Sequence, residues 1–418
     1  MANALVQQYG CVFLQNVTRA NDVNRTIVNT ANAIELIVQQ ILRTHSATDI
    51  SVVRAALGAL ENFALDDSNR SKIANVVVGG VDAIVNAMAL HPNDAEVQQR
   101  GCGSLQNLAF NNQTNQMTIS NAGGIERLIT AMQDHPADPD VQQRACGALW
   151  NLAFNDSNRA RIANAGGIEA IITGMRTHLR NVEIQKYGCS ALRNLVFNNK
   201  ANQIKAANAG GIVAILNSMR TYMNNADVLK FGCGALRNLA ANENNQTQIA
   251  VQGGIEVIVY AMMASVEVQK FGVGAFEYLA LNNKQNQAAI AKAGGIELII
   301  NTMRAHIGSA EAQRYGCGAL RNLSFKNLNN QVLIGLAGGI EIVISAMTSH
   351  PTVAEVQSNA AGALWNLAYN DNNRNRINYF GGMDALLNAM KNHLNNADVQ
   401  KNGRGAITAL TQSSAHKQ

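Results

Sequence analysis

The residues with the clearest chemical signal are asparagines that recur at one fixed place in the sequence. Each follows a run of small and apolar residues, as Asn238 follows Gly-Cys-Gly-Ala-Leu-Arg, and a leucine comes next. An asparagine amide offers both hydrogen-bond donors and an acceptor. Because glycine pairs recur with them every 41 to 44 residues, the amides would form a ladder along one surface of stacked repeats. The ladder asparagines are Asn62, Asn107, Asn151, Asn194, Asn238, Asn322 and Asn366, and Tyr278 interrupts the series.

Other reactive side chains follow the same period instead of clustering into one site. Six histidines stand twelve residues after the first glycine of a pair, so separate repeats would hold them apart from a common metal ion. We expect each histidine at the end of the second helix of its repeat, where a donor suits the free carbonyls. No phosphate-binding glycine loop followed by Lys-Ser/Thr occurs. The sequence therefore predicts no enzyme, no metal site and no cofactor. These histidines are His91, His135, His178, His306, His350 and His393.

The six cysteines occupy a position that small apolar residues also fill. Each stands five residues before a ladder position, where other repeats have Val273 or Ala361. Stacked helices lie about 8 to 10 Å apart, beyond the roughly 7 Å limit between the Cα atoms of a disulfide. We therefore expect buried structural thiols. They are Cys11, Cys102, Cys146, Cys189, Cys233 and Cys317.

Composition and charge narrow the classes of partner. The net charge of +5 is dispersed over 418 residues, whereas nucleic-acid binders concentrate a basic face. The start of the chain lacks a secretory signal, and no apolar stretch approaches the length of a transmembrane helix. We expect a soluble, intracellular monomer, located in the cytoplasm with the nucleus as a second compartment, that binds neither nucleic acid nor membrane.

Each repeat reads as a short helix, a glycine pair and two longer helices. In the second helix Ile168, Ile171, Ile172 and Met175 recur with helical period. A lone third helix over residues 4–17 is followed by nine such triplets, so we predict one all-α solenoid over 1–412 and a polar tail over 413–418. The lone helix indicates either an N-terminal cap or a truncated chain. The sixth triplet has a turn three residues short near Ser265.

In eight of the repeats an acidic residue lies eleven residues before the ladder position, in the first turn of the predicted third helix. An acid there complements the positive end of the helix dipole. We therefore assign these acids a structural role. They are Glu96, Asp140, Glu183, Asp227, Glu267, Glu311, Glu355 and Asp398.

The glycine pairs and the Ala-Leu-Arg-Asn-Leu runs resemble the armadillo repeat over essentially the whole chain. The resemblance implies a right-handed superhelix of about nine three-helix repeats plus an N-terminal capping helix. It also implies a concave groove in which the ladder asparagines, with Asn16, hold the backbone of an extended peptide. The run at 321–324 is most similar to β-catenin-like repeats. The importin-α tryptophan array is absent, because Trp150 and Trp365 stand directly before their asparagines instead of one turn earlier.

Helical spacing places further side chains beside this ladder in repeats four to seven. Aromatic residues lie seven positions before it, at Tyr187, Phe231, Phe271 and Tyr315. Glycine four positions before the ladder would leave room beside these rings. Basic residues lie eight positions or one position before the ladder, at Lys186, Arg193, Lys230, Arg237, Lys270, Arg314 and Arg321. We predict that these residues, the asparagines from Asn107 to Asn366, Trp150 and Trp365 bind an acidic, partly apolar, disordered segment of a partner protein.

Three alternatives remain open at this point. The aromatic rings could pack against the next repeat while the lysines form a solvated face. The chain could instead be an adaptor or regulator that binds a folded partner, of the small-GTPase or cytoskeletal type, through lateral or convex surfaces. It could also be an architectural segment of a larger protein. The identity of the partner, its pathway and the surface used are not determined by the sequence.

Overall fold

The computed structural model describes residues 4–75 and 77–411, and these residues form helices without a strand. Their packing divides the chain into two compact units, Met1–Ala214 and Ile215–Gln418. The all-α repeat architecture is confirmed. The single solenoid over 1–412 stays a prediction, and the tail at 413–418 lies outside the described residues.

One helix and nine helix triplets account for the described secondary structure, as predicted. The lone helix is Ala4–Thr18. The short first helices are Asp22–Thr30, Asp67–Ile73, Gln113–Asn121, Asp156–Asn164, Lys200–Asn208, Glu243–Val251, Lys284–Lys292, Leu328–Leu336 and Asp371–Tyr379. The second helices after repeat 1 are Gly80–Leu90, Gly124–Asp134, Gly167–Thr177, Gly211–Thr221, Gly254–Ala264, Gly295–Ala305, Gly339–Ser349 and Gly382–Asn392. The third helices are Ile50–Phe63, Ala95–Ala109, Pro139–Leu152, Val182–Leu195, Ala226–Leu239, Val266–Leu279, Ala310–Ser324, Ala354–Leu367 and Ala397–Thr411.

The glycine pairs turn the chain between the first and second helices. The first glycine of each pair has a φ angle between 72° and 86°, a left-handed conformation that costs glycine little. In repeat 1, Asn32 takes this place with φ 54°, which asparagine tolerates better than most residues. The second helix of repeat 1 also differs, because its central turns at Leu36–Leu42 are π-helical between Ala33–Glu35 and Arg43–His45.

Two features of the third helices agree with the sequence. The predicted acids all lie in the first turn, as Glu311 does in Ala310–Ser324. In repeat 6 the turn is as short as expected, because Ser265 alone separates Gly254–Ala264 from Val266–Leu279. The third helices therefore start at the predicted places, which fixes the register of the residues that follow along them.

A second series of asparagines joins neighbouring short helices, and sequence reasoning did not find it. Asn286 donates its Nδ2 to the Gln246 carbonyl at 3.2 Å, 40 residues earlier, and to the Leu279 carbonyl at 2.9 Å. These side chains are buried, so they satisfy backbone acceptors in the core. The signal was visible as an asparagine three residues after the one that caps each short helix. The series is Asn69, Asn115, Asn158, Asn202, Asn286, Asn330 and Asn373.

The histidines also connect repeats. His135 follows the second helix of its repeat, as predicted, and its backbone N–H caps the Ala131 carbonyl. Its ring Nε2 lies 2.7 Å from the Pro92 carbonyl, in the turn of the preceding repeat. Sequence reasoning placed the ring on carbonyls of its own helix; the structure corrects this, because the preceding turn passes closer to Nε2. No cluster of three or more metal-ligating residues occurs within residues 4–75 and 77–411.

All six cysteines are buried and unpaired in disulfides, which confirms the prediction of structural thiols. Burial raises the pKa of Cys11 to about 11 and that of Cys146 to about 12. Thiols with such pKa values are protonated at neutral pH and are poor nucleophiles.

Within the described part of the chain, no single helix has both the length and the apolar composition to cross a membrane. Two sharply bent helix pairs are long and apolar enough only when the two helices of each pair are counted as one segment. They are Glu243–Val251 with Gly254–Ala264 and Leu328–Leu336 with Gly339–Ser349.

Candidate functional site

The ladder asparagines bind the preceding repeat. Asn107 donates its Nδ2 to the Glu61 carbonyl at 2.9 Å, and Asn322 donates to the Glu277 carbonyl at 2.7 Å. In every such pair the acceptor is the residue directly before the ladder position of the previous repeat. The ladder therefore links successive third helices within each unit. The equivalent pairs are Asn62 with Gln15, Asn151 with Gln106, Asn194 with Trp150, and Asn366 with Arg321.

Each of these amides keeps unused hydrogen-bonding capacity. One N–H is spent on the preceding repeat, and no donor among residues 4–75 and 77–411 reaches the Oδ1 of Asn107, Asn194 or Asn322. These three side chains are half-buried, whereas Asn151 is 4% exposed and Asn238 is 9% exposed. The ladder asparagines therefore differ in how much of the side-chain amide is accessible to a partner.

The glycines four residues before the ladder do not leave open space. A Cβ atom added at Gly405 would lie 2.6 Å from the ring of Trp365, and one added at Gly362 would lie 2.6 Å from Nε of Arg321. In these repeats the residue directly before the ladder position therefore packs its side chain against this glycine of the next repeat. The expected room beside the aromatic rings is filled for this reason.

The predicted basic residues are largely paired with acids of the same chain. Nζ of Lys186 lies 2.5 Å from Oε2 of Glu183, and Nζ of Lys230 lies 2.6 Å from Oδ1 of Asp227. In the same way, Lys270 lies 2.9 Å from Glu311 and Arg314 lies 3.4 Å from Glu355. Exposed ion pairs contribute little to stability, but each acid offsets part of the positive potential. The basic stripe is therefore more nearly neutral than its lysine and arginine count indicates.

The aromatic residues differ in how much surface they present. Tyr315 is 5% exposed, and its ring lies 4.6 Å from the guanidinium carbon of Arg237. This ring packs within the protein, against a residue two repeats earlier instead of against the next repeat, and offers little surface to a partner. Tyr187 is half-buried and its ring centroid lies 5.8 Å from that of Trp150. Phe231 and Phe271 are also half-buried.

Glu277 is a largely buried carboxylate in the irregular sixth repeat. Its side chain is 14% exposed, and Oε2 has no hydrogen-bond partner among the described residues. Burial raises its pKa from the usual 4.5 to about 7, although Arg314, Arg237 and Arg321 act in the opposite direction. The closest of these, Arg314, lies 3.9 Å away, too far for a hydrogen bond.

Two pockets with matching linings lie beside the tryptophans. In the unit Met1–Ala214 a pocket of about 420 Å³ is formed by Trp150 and Asn151 with aromatic and polar neighbours. In the unit Ile215–Gln418 a pocket of about 580 Å³ is formed by Trp365 and Asn366. Seven lining positions of the first recur 215 residues later in the second, which is five repeats. The matched positions are Phe110 and Phe325, Asn111 and Lys326, Gln113 and Leu328, Gln116 and Gln331, Trp150 and Trp365, Asn151 and Asn366, and Phe154 and Tyr369.

Sequence reasoning found only part of each pocket. It named the tryptophan and the asparagine, together with Arg321, which also lines the second pocket. It missed the aromatic ring three residues after a ladder asparagine, seen as Asn-Leu-Ala-Phe at 107–110 and Asn-Leu-Ser-Phe at 322–325. The recurrence of that ring was the available signal. The binding role of the predicted residues stays a prediction.

Solved structures with the same architecture include engineered proteins. One engineered protein matches with a TM-score of 0.83 and 26% identity over 99% of this chain and 97% of that chain. A second has a TM-score of 0.52 and 27% identity over 58% of this chain and 96% of that chain. A structure from a study of a phosphorylation switch between cadherin and β-catenin has a TM-score of 0.56. It covers 98% of this chain and 89% of that chain, and at 15% identity the likeness shows the fold alone.

Sequence comparison gives the family. No sequence among the curated proteins matches the chain. The family model described as the GAC ARM domain matches residues 5–281, which is more than half of the chain. Armadillo repeats are a fold of protein-interaction scaffolds. The chain therefore belongs to the armadillo-type family of the GAC ARM domain.

Proposed function

We propose that this protein is a non-enzymatic interaction scaffold whose third helices hold an extended, acidic segment of a partner protein. The observation that carries the proposal is the state of the ladder amides. Each of five asparagines spends one N–H on the preceding repeat, and this bond fixes the orientation of its amide. They are Asn107, Asn151, Asn194, Asn322 and Asn366.

A fixed amide with a second N–H and an acceptor Oδ1 matches the needs of a peptide unit. A peptide unit presents one carbonyl and one N–H, and an amide can engage both. Because the internal bond already orients Asn322, little side-chain entropy is lost when a partner binds. Half-buried asparagines suit this role better than fully exposed ones for the same reason.

Several rungs must act together to give useful affinity. One hydrogen bond contributes about 1 kcal/mol net, whereas micromolar affinity corresponds to about 8 kcal/mol. Side-chain contacts must therefore supply much of the binding free energy. The ion pairs at Lys186, Lys230 and Lys270 reduce the positive charge available along repeats four to six. The preference for acidic partners then depends on cations that lack such pairs.

The test compares two asparagines that make similar internal bonds. Asn322 lies on the third helix, and Asn330 lies on the next short helix, where it is 2% exposed and donates to the carbonyls of Gln287 and Leu323. Peptides would be selected from a displayed library of random 16-residue segments and titrated by fluorescence anisotropy. We expect Asn322→Ala to weaken binding about fivefold to tenfold, which corresponds to the loss of about one hydrogen bond.

Asn330→Ala is the matched control. It removes two internal hydrogen bonds, so it should lower thermal stability at least as much as Asn322→Ala while changing peptide affinity less than twofold. Equal weakening in both variants would assign the effect to stability alone and contradict the proposal. Unchanged affinity in Asn322→Ala, or a library that yields no binder to the wild-type protein, would also contradict it.

A further inference from the structure

The pocket around Trp365 differs from its counterpart around Trp150 in charge. At the position of Asn111 it has Lys326, and Arg321 and Lys401 complete its basic lining. None of these three cations has an ion-pair partner among residues 4–75 and 77–411. The lining of the Trp365 pocket contains no acidic residue. It is therefore a positively charged site that is not neutralised by its own walls.

Acidic residues lie near one side of this pocket, beside Arg321, but none of them belongs to its lining. Arg321 also lines a smaller pocket of about 240 Å³ together with Glu355 and Asp398. Glu355 pairs with Arg314 at 3.4 Å. In the other unit, the position equivalent to Lys401 is Lys186, which is bound to Glu183. The same lysine position is thus paired in one unit and unpaired in the other.

The apolar part of the lining includes large side chains that are exposed. Phe325 is 40% exposed, Tyr369 is 48% exposed and Leu328 is 67% exposed. A pocket of about 580 Å³ lies within the range of about 300 to 1,000 Å³ typical of ligand sites. Exposed apolar groups grouped around a concave site indicate that something covers them.

A buried acceptor in the same lining indicates what the occupant carries. Gln331 is 2% exposed and donates its Nε2 to the Ser324 carbonyl at 3.0 Å. Its Oε1 is buried without a donor among the described residues. An unsatisfied buried acceptor costs free energy until a donor reaches it. The equivalent residue in the first pocket is Gln116, and its Oε1 is not a buried acceptor without a donor.

We propose that the Trp365 pocket binds a tryptophan side chain flanked by carboxylates from a partner peptide. The indole ring packs on Phe325, Tyr369 and Trp365, its N–H serves the Oε1 of Gln331, and the carboxylates meet Arg321, Lys326 and Lys401. This inference rests on the proposed function and names the part of the partner that anchors it. It also moves the main contact from repeats four to seven to repeats seven to nine.

A peptide too short to use the ladder tests the pocket by itself. The probe is an acetylated, amidated Glu-Trp-Glu tripeptide with a fluorinated indole, titrated into the full chain by fluorine NMR. A tripeptide spans roughly 10 Å, so it meets at most one or two rungs. We expect a saturable shift with Glu-Trp-Glu, about tenfold weaker binding of Lys-Trp-Lys, and weaker binding of Glu-Phe-Glu with a fluorinated ring, which has no donor for Gln331.

Two substitutions with the same change in net charge provide the control. Lys401→Glu should weaken Glu-Trp-Glu about tenfold, whereas Lys292→Glu, at an exposed lysine on the short helix Lys284–Lys292, should change its affinity less than twofold. Lys401 is exposed, so its substitution should leave the fold intact. The inference is overturned if the wild-type protein gives no saturable shift, or if the two substitutions act equally.

The outcomes also separate this inference from the proposed function. If library peptides require Asn322 and the tripeptide does not bind, only the pocket assignment fails. If the tripeptide binds through Lys401 and library peptides ignore Asn322→Ala, only the ladder assignment fails.

Discussion

Gly254→Ala is expected to lower the free energy of unfolding of the unit Ile215–Gln418 by about 3 kcal/mol. A Cβ atom at this position would lie 2.5 Å from Cγ2 of Ile249 and 2.7 Å from the Ile249 carbonyl oxygen. A backbone oxygen cannot rotate away, so Gly254–Ala264 would have to shift relative to Glu243–Val251. Urea unfolding gives the loss of stability, and hydrogen exchange locates it in these two helices.

Substitutions at two other glycines serve as controls for this result. Gly253 has a φ angle of 74°, and the nearest atom to an added Cβ is the flexible end of Arg220 at 3.0 Å. Gly253→Ala should therefore cost about 1 to 2 kcal/mol, mainly through backbone strain. Gly308 has no neighbouring heavy atom within 4 Å of an added Cβ, and its φ is not in the left-handed range. Gly308→Ala should therefore change stability by less than about 1 kcal/mol. Similar losses in all three variants would show that close packing at Gly254 is not the cause.

Glu277→Gln is expected to remove a pH-dependent loss of stability. Burial raises the pKa of Glu277 from 4.5 to about 7, so between these values the folded protein holds a proton that the unfolded chain has released. The free energy of unfolding therefore falls as pH rises from about 4.5 to about 7 and then stays level. The difference between the two pKa values corresponds to about 3 kcal/mol.

The measurement compares unfolding curves of the two proteins between pH 5 and pH 8. Relative to Glu277→Gln, the wild-type protein should lose stability as pH rises through this range, by an amount on the order of 3 kcal/mol. Gly308→Ala changes no titratable group and should follow the wild-type pH dependence. If the wild-type and Glu277→Gln curves remain parallel, the Glu277 carboxylate is ionised in the folded protein well below pH 7, and the three arginines outweigh its burial.

Periodic features of the fold were predictable because each of them recurs in nearly every repeat. Gly253 and Gly254 mark a turn whose geometry only glycine meets without strain, and the acids in the first turn of the third helices mark where those helices begin. The contacts of the histidines were harder to predict. Their position was clear, but the carbonyl that His135 meets lies 43 residues earlier, in a turn whose path the sequence does not specify.

The candidate site was predicted less completely, since it depends on pairs of residues from different repeats. The ion pair of Lys186 with Glu183 follows from helical spacing and could have been anticipated. The pair of Lys270 with Glu311 joins two repeats and could not. The packing at the glycine four residues before the ladder position could not be anticipated either, because sequence reasoning expected a gap there. The structure fills that space with a side chain from the preceding repeat.

The ladder has a consequence for how such a protein can change its specificity. The residue directly before each ladder position accepts the asparagine's hydrogen bond with its backbone carbonyl, not with its side chain, as Glu277 does for Asn322. Its side chain lies against a glycine of the next repeat, which accepts different shapes. In this one chain the position holds glutamate, glutamine, arginine or tryptophan. Evolution or a designer can therefore exchange the side chain at this position in one repeat at a time without removing the hydrogen bond that links the repeats.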